Sequence, residues 1–412
     1  MKLSGRSFWT ILDQGLSALS NFALAVFVAR SVSRTQFGEF GTVYATYAVV
    51  LGVSRALITD PLLVRFSGAV QGIRLRAIRS ATGSALVFGS VTGLTMAVLG
   101  MSLGGGFGKA LLAMGILMPV LLLQDAWRYS FFSQGHAWKA AINDSIWIAL
   151  QVIGFIFLRL YGLQSTPSAI VVWGISAACA AACGVLQVGV VPVISSTRSW
   201  FRHHRAYGLR YALEFIAGYG SIQIVMLALA GILGFSDVGA LRGGYTVLGP
   251  LNTMMNGSFA AAVHETTRAR RESEKRVLFV AVGFALVTGV VILICVSAVS
   301  QIPQSFGVQI LGKTWATAKA VLVPIGLTIA ANGVALGARA GTRAVAVPKR
   351  GLVLRLMVAP ITAFSALMGA FIHGYLGAAW GLAIGNTICA LILWTQFGLL
   401  WKHPDEIAGH LI

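Results

Sequence analysis

Apolar runs of about twenty residues, each broken by a short polar turn, recur along the whole chain. They fix what it can fold into. The first pair sets the pattern. Between Phe8 and Val64 two such runs flank a turn carrying Arg30, Arg34, Gln36, Gly38 and Glu39. About 20 apolar residues in a helix span the hydrocarbon core of a bilayer, so this stretch reads as a transmembrane hairpin. Twelve runs can be drawn, near 8–30, 40–64, 81–103, 110–132, 141–161, 168–192, 211–234, 238–263, 277–299, 318–340, 353–375 and 377–400. Their length favours helices over the alternating strands of about ten residues that build membrane barrels. The expected fold is an all-α polytopic membrane protein of about twelve transmembrane helices.

Composition excludes the soluble alternatives. Residues are 57% hydrophobic and only 10% charged, against about a quarter charged in soluble domains. Too little polar surface exists to cover a globule. The net charge of +19 has no soluble basic module to carry nucleic-acid binding. Lys and Arg instead follow the bias of cytoplasmic loops. With the N-terminus inside, 21 of the 31 fall on the inner side and 7 on the outer. Both termini are therefore expected in the cytoplasm. The first run continues to Arg30 with no small-residue cleavage site, so it reads as a retained helix rather than a signal peptide.

The chain also resembles itself. Shifted by 201 residues, Gly38 falls on Gly239, Tyr44 on Tyr245, Ala29 on Ala230 and Asp13 on Glu214; shifted by 211, Arg128 falls on Arg339. Two six-helix lobes follow, 1–195 and 211–412, joined by the basic linker 196–210. Six is even, so both lobes start inside. The implied pseudo-twofold runs along the membrane normal, with the binding site between the lobes. The linker's charges read as a solvated segment held at anionic lipid head groups. Metal or pH sensing by His203 and His204 is the alternative, although no third ligand sits nearby.

Ionisable groups inside a membrane cost about 2.5–3.5 kcal/mol each on insertion scales, so each must find a cavity, a partner or an interface. Candidates for coupling or gating are Asp13, Asp60, Asp125, Asp144 and Glu214. Asp125 and Arg128 share a helix face and are expected to pair. Asp60 precedes Pro61, which weakens the helix there. Asp13 and Glu214 either snorkel to the inner interface or form a matched pair at the inner mouth. Arg55 has no carboxylate at i±3 or i±4 and lies deepest. It either pairs with Asp13 or a neighbouring helix, or binds an anionic head group, for which a guanidinium's bidentate fork is suited. Arg128 and Arg339 would extend such a path inward and Arg30 and Arg242 outward, while Asn256 stands where Arg55 stands in the first half.

No enzyme signature is present: there is no GxSxG, HExxH or P-loop. The four cysteines lie in apolar runs without metal-ligand spacing and read as small buried hydrophobes. No metal or cofactor is expected. Trp127, Trp138, Trp147, Trp173, Trp200, Trp315 and Trp401 fall near predicted helix ends and read as interfacial anchors.

Three stretches carry a family resemblance. They are ARSVSRTQFGEFGTV (Ala29–Val43), LLQDAWRYSFFSQGHAWKAAINDSIW (Leu122–Trp147) and ILGKTWATAKAVLVPIGL (Ile310–Leu327). With them, the chain resembles polysaccharide-biosynthesis flippases of the multidrug/oligosaccharidyl-lipid/polysaccharide exporter superfamily, over its full length though shorter than some relatives. The resemblance implies alternating access by two lobes in a bacterial plasma membrane. It implies a lipid-linked glycan as substrate, carried from the inner to the outer leaflet by an ion gradient or membrane potential. It further implies membrane lipids and other polysaccharide-assembly proteins as partners, and cationic residues, first Arg55 and then Arg128, on the pyrophosphate. The alternatives are a drug/cation antiporter of the same superfamily and, further off, a membrane enzyme of glycan assembly.

Overall fold

The computed structural model describes residues 5–345 and 348–402, and every regular element among them is helical. The helices are α1 (Gly5–Ser31), α2 (Arg34–Ser54), α3 (Asp60–Phe66), α4 (Gln71–Leu103), α5 (Gly105–Ser133), α6 (Ala137–Leu160) and α7 (Thr166–Val188). They continue as α8 (Thr197–Phe215), α9 (Ser221–Leu233), α10 (Phe235–Val247), α11 (Gly249–Arg270), α12 (Glu274–Ser300), α13 (Gln304–Leu311), α14 (Trp315–Val345) and α15 (Pro348–Lys402). Among the described residues, ten stretches are long and apolar enough to cross a membrane. Helix α15 folds back on itself, and α10 with α11 covers the run expected at 238–263 but is more polar. The chain is a multi-pass membrane protein.

The reversal in α15 falls at His373 and Gly374, where Gly374 has φ +59°. That region favours glycine. Past it, the backbone of Gly377 returns against Gly369 and that of Gly381 against Ser365, as two antiparallel arms require. Helices α4 and α5 use the same device. Gly93 lies on the backbone of Gly115 and Gly100 on that of Gly108. Small residues let membrane helices approach this closely where no hydrophobic drive exists between them.

Helix α2 begins at Ser33, whose hydroxyl accepts from the Gln36 amide while Gln36 Oε1 accepts from the Ser33 amide. This reciprocal cap is spelled out in the turn SRTQ. Further on, Pro61 has no N–H and crowds the preceding turn. The helix answers with a wide π turn over Arg55–Thr59, in which the Asp60 amide donates to the Arg55 carbonyl. The turn lifts Arg55 out of regular register, and α3 completes the pass.

The chain divides into two compact units, Met1–Ile216 and Ala217–Ile412. Each repeats one order of elements. Ser33 caps α2 in the first, and Gly234 caps α10 in the second, 201 positions on. The offset lengthens to 211 by Arg339, past α13 and a 3₁₀ turn that stand where the first unit has only the turn at Gly104.

Unit 1 packs around Leu24, Phe37, Phe40, Trp127, Phe131 and Trp173, all at 0% exposure. The tryptophans expected at the membrane interface are mostly here instead. Trp127, Trp147, Trp173, Trp200 and Trp315 are buried, and Trp147 donates to the Trp173 carbonyl at 3.0 Å. Sequence placement near helix ends does not reveal which face a residue presents. Trp138 alone of the seven is strongly exposed, at 42%. The cysteine expectation needs a similar correction: Cys389 is buried, but Cys179 is exposed.

Candidate functional site

Unit 1 holds an ionic network joining α1, the π turn, α5 and α6. Arg55 donates to Asp125 through Nε at 3.0 Å and Nη2 at 2.6 Å. Arg128 donates to Asp13 Oδ2 through Nε at 2.9 Å and Nη2 at 2.6 Å, and through Nη1 to Ser17 at 3.2 Å. Its Nε also lies 3.6 Å from Asp144 Oδ2. The expected Asp125–Arg128 pair is therefore replaced by two interhelical pairs, each member turning to another helix. Of the partners expected for Arg55, Asp13 or a neighbouring helix, the structure supplies the second, Asp125 of α5. Nor is Arg55 isolated at mid-membrane. At about 1.5 Å per residue, it lies roughly 16 Å from the end of α3, close to the depth of Asp125 in α5.

The two pairs differ in exposure. The Arg55 side chain is 34% exposed and Asp125 7%, whereas Arg128 is 7% exposed and Asp13 fully buried. Asp125 occupies one edge of the Arg55 guanidinium, and the cation lies 5.6 Å from the Tyr129 ring. Asp125 thus orients Arg55 without enclosing it. Arg128, by contrast, is enclosed by two carboxylates. Buried charges are sustained only where geometry and further hydrogen bonds satisfy them. Two buried oxygens of this cluster, Asp13 Oδ1 and Asp144 Oδ2, have no hydrogen-bond partner among the described residues. Two carboxylates around one guanidinium leave one formal negative charge in excess.

Uncharged amides complete the cluster and were not singled out in the sequence. Gln124 donates to Asp144 at 2.8 Å. Asn143 donates to the Ala180 carbonyl at 2.7 Å and to Gln187 at 3.0 Å. Gln151 donates to the Ser20 carbonyl at 2.9 Å. The available signal was the spacing Asn143, Trp147, Gln151, one polar-capable face of α6.

Of the other candidates, Asp60 borders this network, since its amide donates to the Arg55 carbonyl. Glu214 is 3.6 Å from Arg210, one turn away on the same helix. It is not a buried counterpart of Asp13, and it belongs to unit 1. Asp60 is half-buried at the start of α3, and Arg30 is exposed at the end of α1. In unit 2, Arg242 is half-buried on α10. Arg339 donates to the Asn332 carbonyl at 3.2 Å and lies 5.3 Å from the Phe259 ring, which Arg343 approaches to 5.0 Å. Asn332 in turn donates to Asn386 at 3.1 Å. The Asn256 side chain lies outside the described residues. No group of three or more His, Cys, Asp and Glu suited to a metal occurs among the described residues.

The matched positions differ in charge between the units. Opposite Arg128 with Asp13 and Asp144, the second half has Arg339 with Glu214 and Arg355. Opposite Arg55 and Asp125 it has Asn256 and Leu336, the latter fully buried. At the matched positions Asp13 recurs as Glu214, whereas Asp125 and Asp144 do not recur as carboxylates.

No family model and no curated protein sequence matches the chain. Solved structures do. One described as the inward-facing conformation of a multidrug resistance MATE family transporter of the MOP superfamily aligns over 96% of this chain and 99% of its own, with TM-score 0.73 and 14% identity. The outward-facing conformation of such a transporter aligns over 97% and 95%, with TM-score 0.68 and 12% identity. A third, a MOP superfamily transporter from Pyrococcus furiosus described as having a binding pocket of reverse polarity suggesting a different function, aligns over 96% and 94%, with TM-score 0.60 and 13% identity. The fold is that of these transporters.

Proposed function

We propose that the protein is an alternating-access transporter that flips a polyprenyl-pyrophosphate-linked oligosaccharide from the inner to the outer leaflet for cell-surface polysaccharide assembly. The observation that carries this reading is the charge asymmetry between matched positions. Unit 1 balances its arginines with carboxylates. At the matched places the second half has Leu336 for Asp125 and Arg355 for Asp144, and in unit 2 Arg339 and Arg343 both lie against the Phe259 ring. Guanidinium donors fit phosphate oxygens bidentately, and Arg55, pinned on one edge by Asp125, presents a further oriented cation.

In this reading the second cluster supplies the coupling. Asp13, Arg128 and Asp144 carry one negative charge too many, and uptake of a proton or small cation neutralises it. A ligand shifts an equilibrium only by its differential affinity for the two states. A cation that fills this cluster in one state but not in the other would drive the cycle. No hydrolytic site is needed. The fold's use by a transporter described as having reverse pocket polarity supports reading substrate charge from residues rather than from fold.

The test is reconstitution into vesicles that contain a fluorescent polyprenyl-pyrophosphate glycan. An imposed gradient moves the glycan between leaflets, and Arg339→Gln raises the substrate concentration for half-maximal rate about tenfold, as loss of one charge-assisted contact predicts. No redistribution with the native glycan contradicts the reading. A second reading, drug/cation antiport, is favoured by the four carboxylates Asp13, Asp60, Asp125 and Asp144 of unit 1. It predicts gradient-driven movement of an organic cation that Asp60→Asn or Asp125→Asn abolishes.

A further inference from the structure

A second polar site lies in unit 1, apart from the ionic network. A cavity of about 240 Å³ is lined by Phe66, Arg76, Ser80, Ser199, Trp200 and His203 among others. Its walls come from the end of α3, the first turns of α4 and the start of α8. The chain reaches it by crossing α4 closely. The Val193 amide donates to the Arg79 carbonyl at 2.9 Å, and Gly83 leaves no room there for even a Cβ against Val193. That crossing sets the 3₁₀ turn Ile194–Ser196 and the first turn of α8 above the α4 face.

The cavity is rich in donors and poor in anions. Its floor is a stack of Phe66, Trp200 and His204, with the last two rings 4.1 Å apart. Trp200 is 4% exposed, yet its indole N–H has no hydrogen-bond partner among the described residues. Arg76 and Ser80 supply further donors from α4, and Ser199 from α8. His203 also lines the cavity, its Nδ1 lying 2.8 Å from the Ser199 carbonyl and 3.2 Å from the Ser199 hydroxyl. The start of α8, where Ser196 makes no side-chain cap, also favours negative charge. The sequence holds no Asp or Glu between Pro61 and Gln124, or between Ser145 and Leu213, so no acidic side chain from these segments competes.

We infer that this cavity is a binding site for a phosphate-bearing anion, seated between Arg76 and the Trp200 indole N–H. The volume is several times the roughly 30 Å³ share of one water and admits a phosphate with part of a glycerol. The Lys and Arg bias assigns this end of the unit to the inner surface, where anionic head groups concentrate. A phospholipid head group and free phosphate share the chemistry. A ligand here joins α8, which leads out of unit 1, to α4.

The purified full-length protein is titrated with phosphatidylglycerol, with phosphatidylcholine and, separately, with inorganic phosphate, and bound adducts are read by native mass spectrometry. Phosphatidylglycerol binds saturably. Arg76→Gln weakens it about tenfold and Trp200→Phe, which keeps the ring and removes the N–H, several-fold. Arg198→Gln, an exposed cation outside the cavity, changes it less than about twofold. Inorganic phosphate binding with the same Arg76 dependence identifies a soluble ligand, whereas dependence on phosphatidylglycerol alone identifies a lipid. Equal binding of phosphatidylcholine, or equal losses for Arg76→Gln and Arg198→Gln, overturns the proposal.

Discussion

Arg128 shows how much one side chain can hold. It is buried between Asp13 and Asp144 on two other helices, so its removal strands two carboxylates. Arg128→Met is expected to cost about 3–5 kcal/mol, read as a lowered unfolding temperature in detergent. Adding Asp13→Asn and Asp144→Asn recovers most of that loss, because neutral amides need no counter-charge. Asp125→Asn costs less, since its partner Arg55 is 34% exposed and can turn toward water. If the two truncations cost the same, the burial difference between the pairs is wrong. The ionisable residues themselves were legible in the sequence as charges inside apolar runs. Their partners were not. Asp125 and Arg128 sit at a spacing that permits a local pair, and the choice against it depends on Asp13 and Arg55, brought in from 115 and 70 residues away.

At the scale of elements, most helix positions followed from the apolar runs and the caps from turn residues such as Ser33; the exception is α8, which forms on the stretch read as a solvated basic linker and buries Trp200, His204 and Gly208. The π turn was only half legible. Pro61 announces a weakness, but whether the helix kinks, unwinds or widens depends on what packs there. Here α8 packs there, with Gly52 of α2 meeting the Phe215 ring and Gly208 of α8 meeting Leu57. A Cβ at Gly52 would fall 2.0 Å from the Phe215 ring. Gly52→Ala is therefore expected to destabilise by about 1–3 kcal/mol, and Phe215→Ala in the same chain relieves the clash, a rescue that thermal unfolding of the double variant checks. The reversal inside α15 was legible: the runs 353–375 and 377–400 break beside Gly374, where the backbone turns.

For the whole molecule, the two units share an order of elements but not a distribution of charge. Unit 1 carries Asp13, Asp125 and Asp144 around two arginines, while unit 2 has Leu336 and Arg355 at the places of the last two. The proposed division assigns coupling to the first and head-group binding to the second. It predicts separable defects. Asp144→Asn should abolish stimulation by a gradient while leaving substrate affinity within about twofold, and Arg339→Gln should do the reverse. Glycan concentration series with and without the gradient check both. The sequence made the repeat visible and pointed to Arg55 and Arg128 as the leading cations. The structure separates them: Arg128 is ringed by Asp13 and Asp144 and has little left for a phosphate, Arg55 keeps an open edge, and Arg339 lies with Arg343 against Phe259.

The measurement that bears most directly on this account is the leaflet distribution of a fluorescent polyprenyl-pyrophosphate glycan in vesicles containing the purified protein. The account predicts gradient-driven movement, with apparent affinity reduced about tenfold by Arg339→Gln and unchanged by Asp144→Asn. Movement of an organic cation, with the glycan left in place, would contradict it.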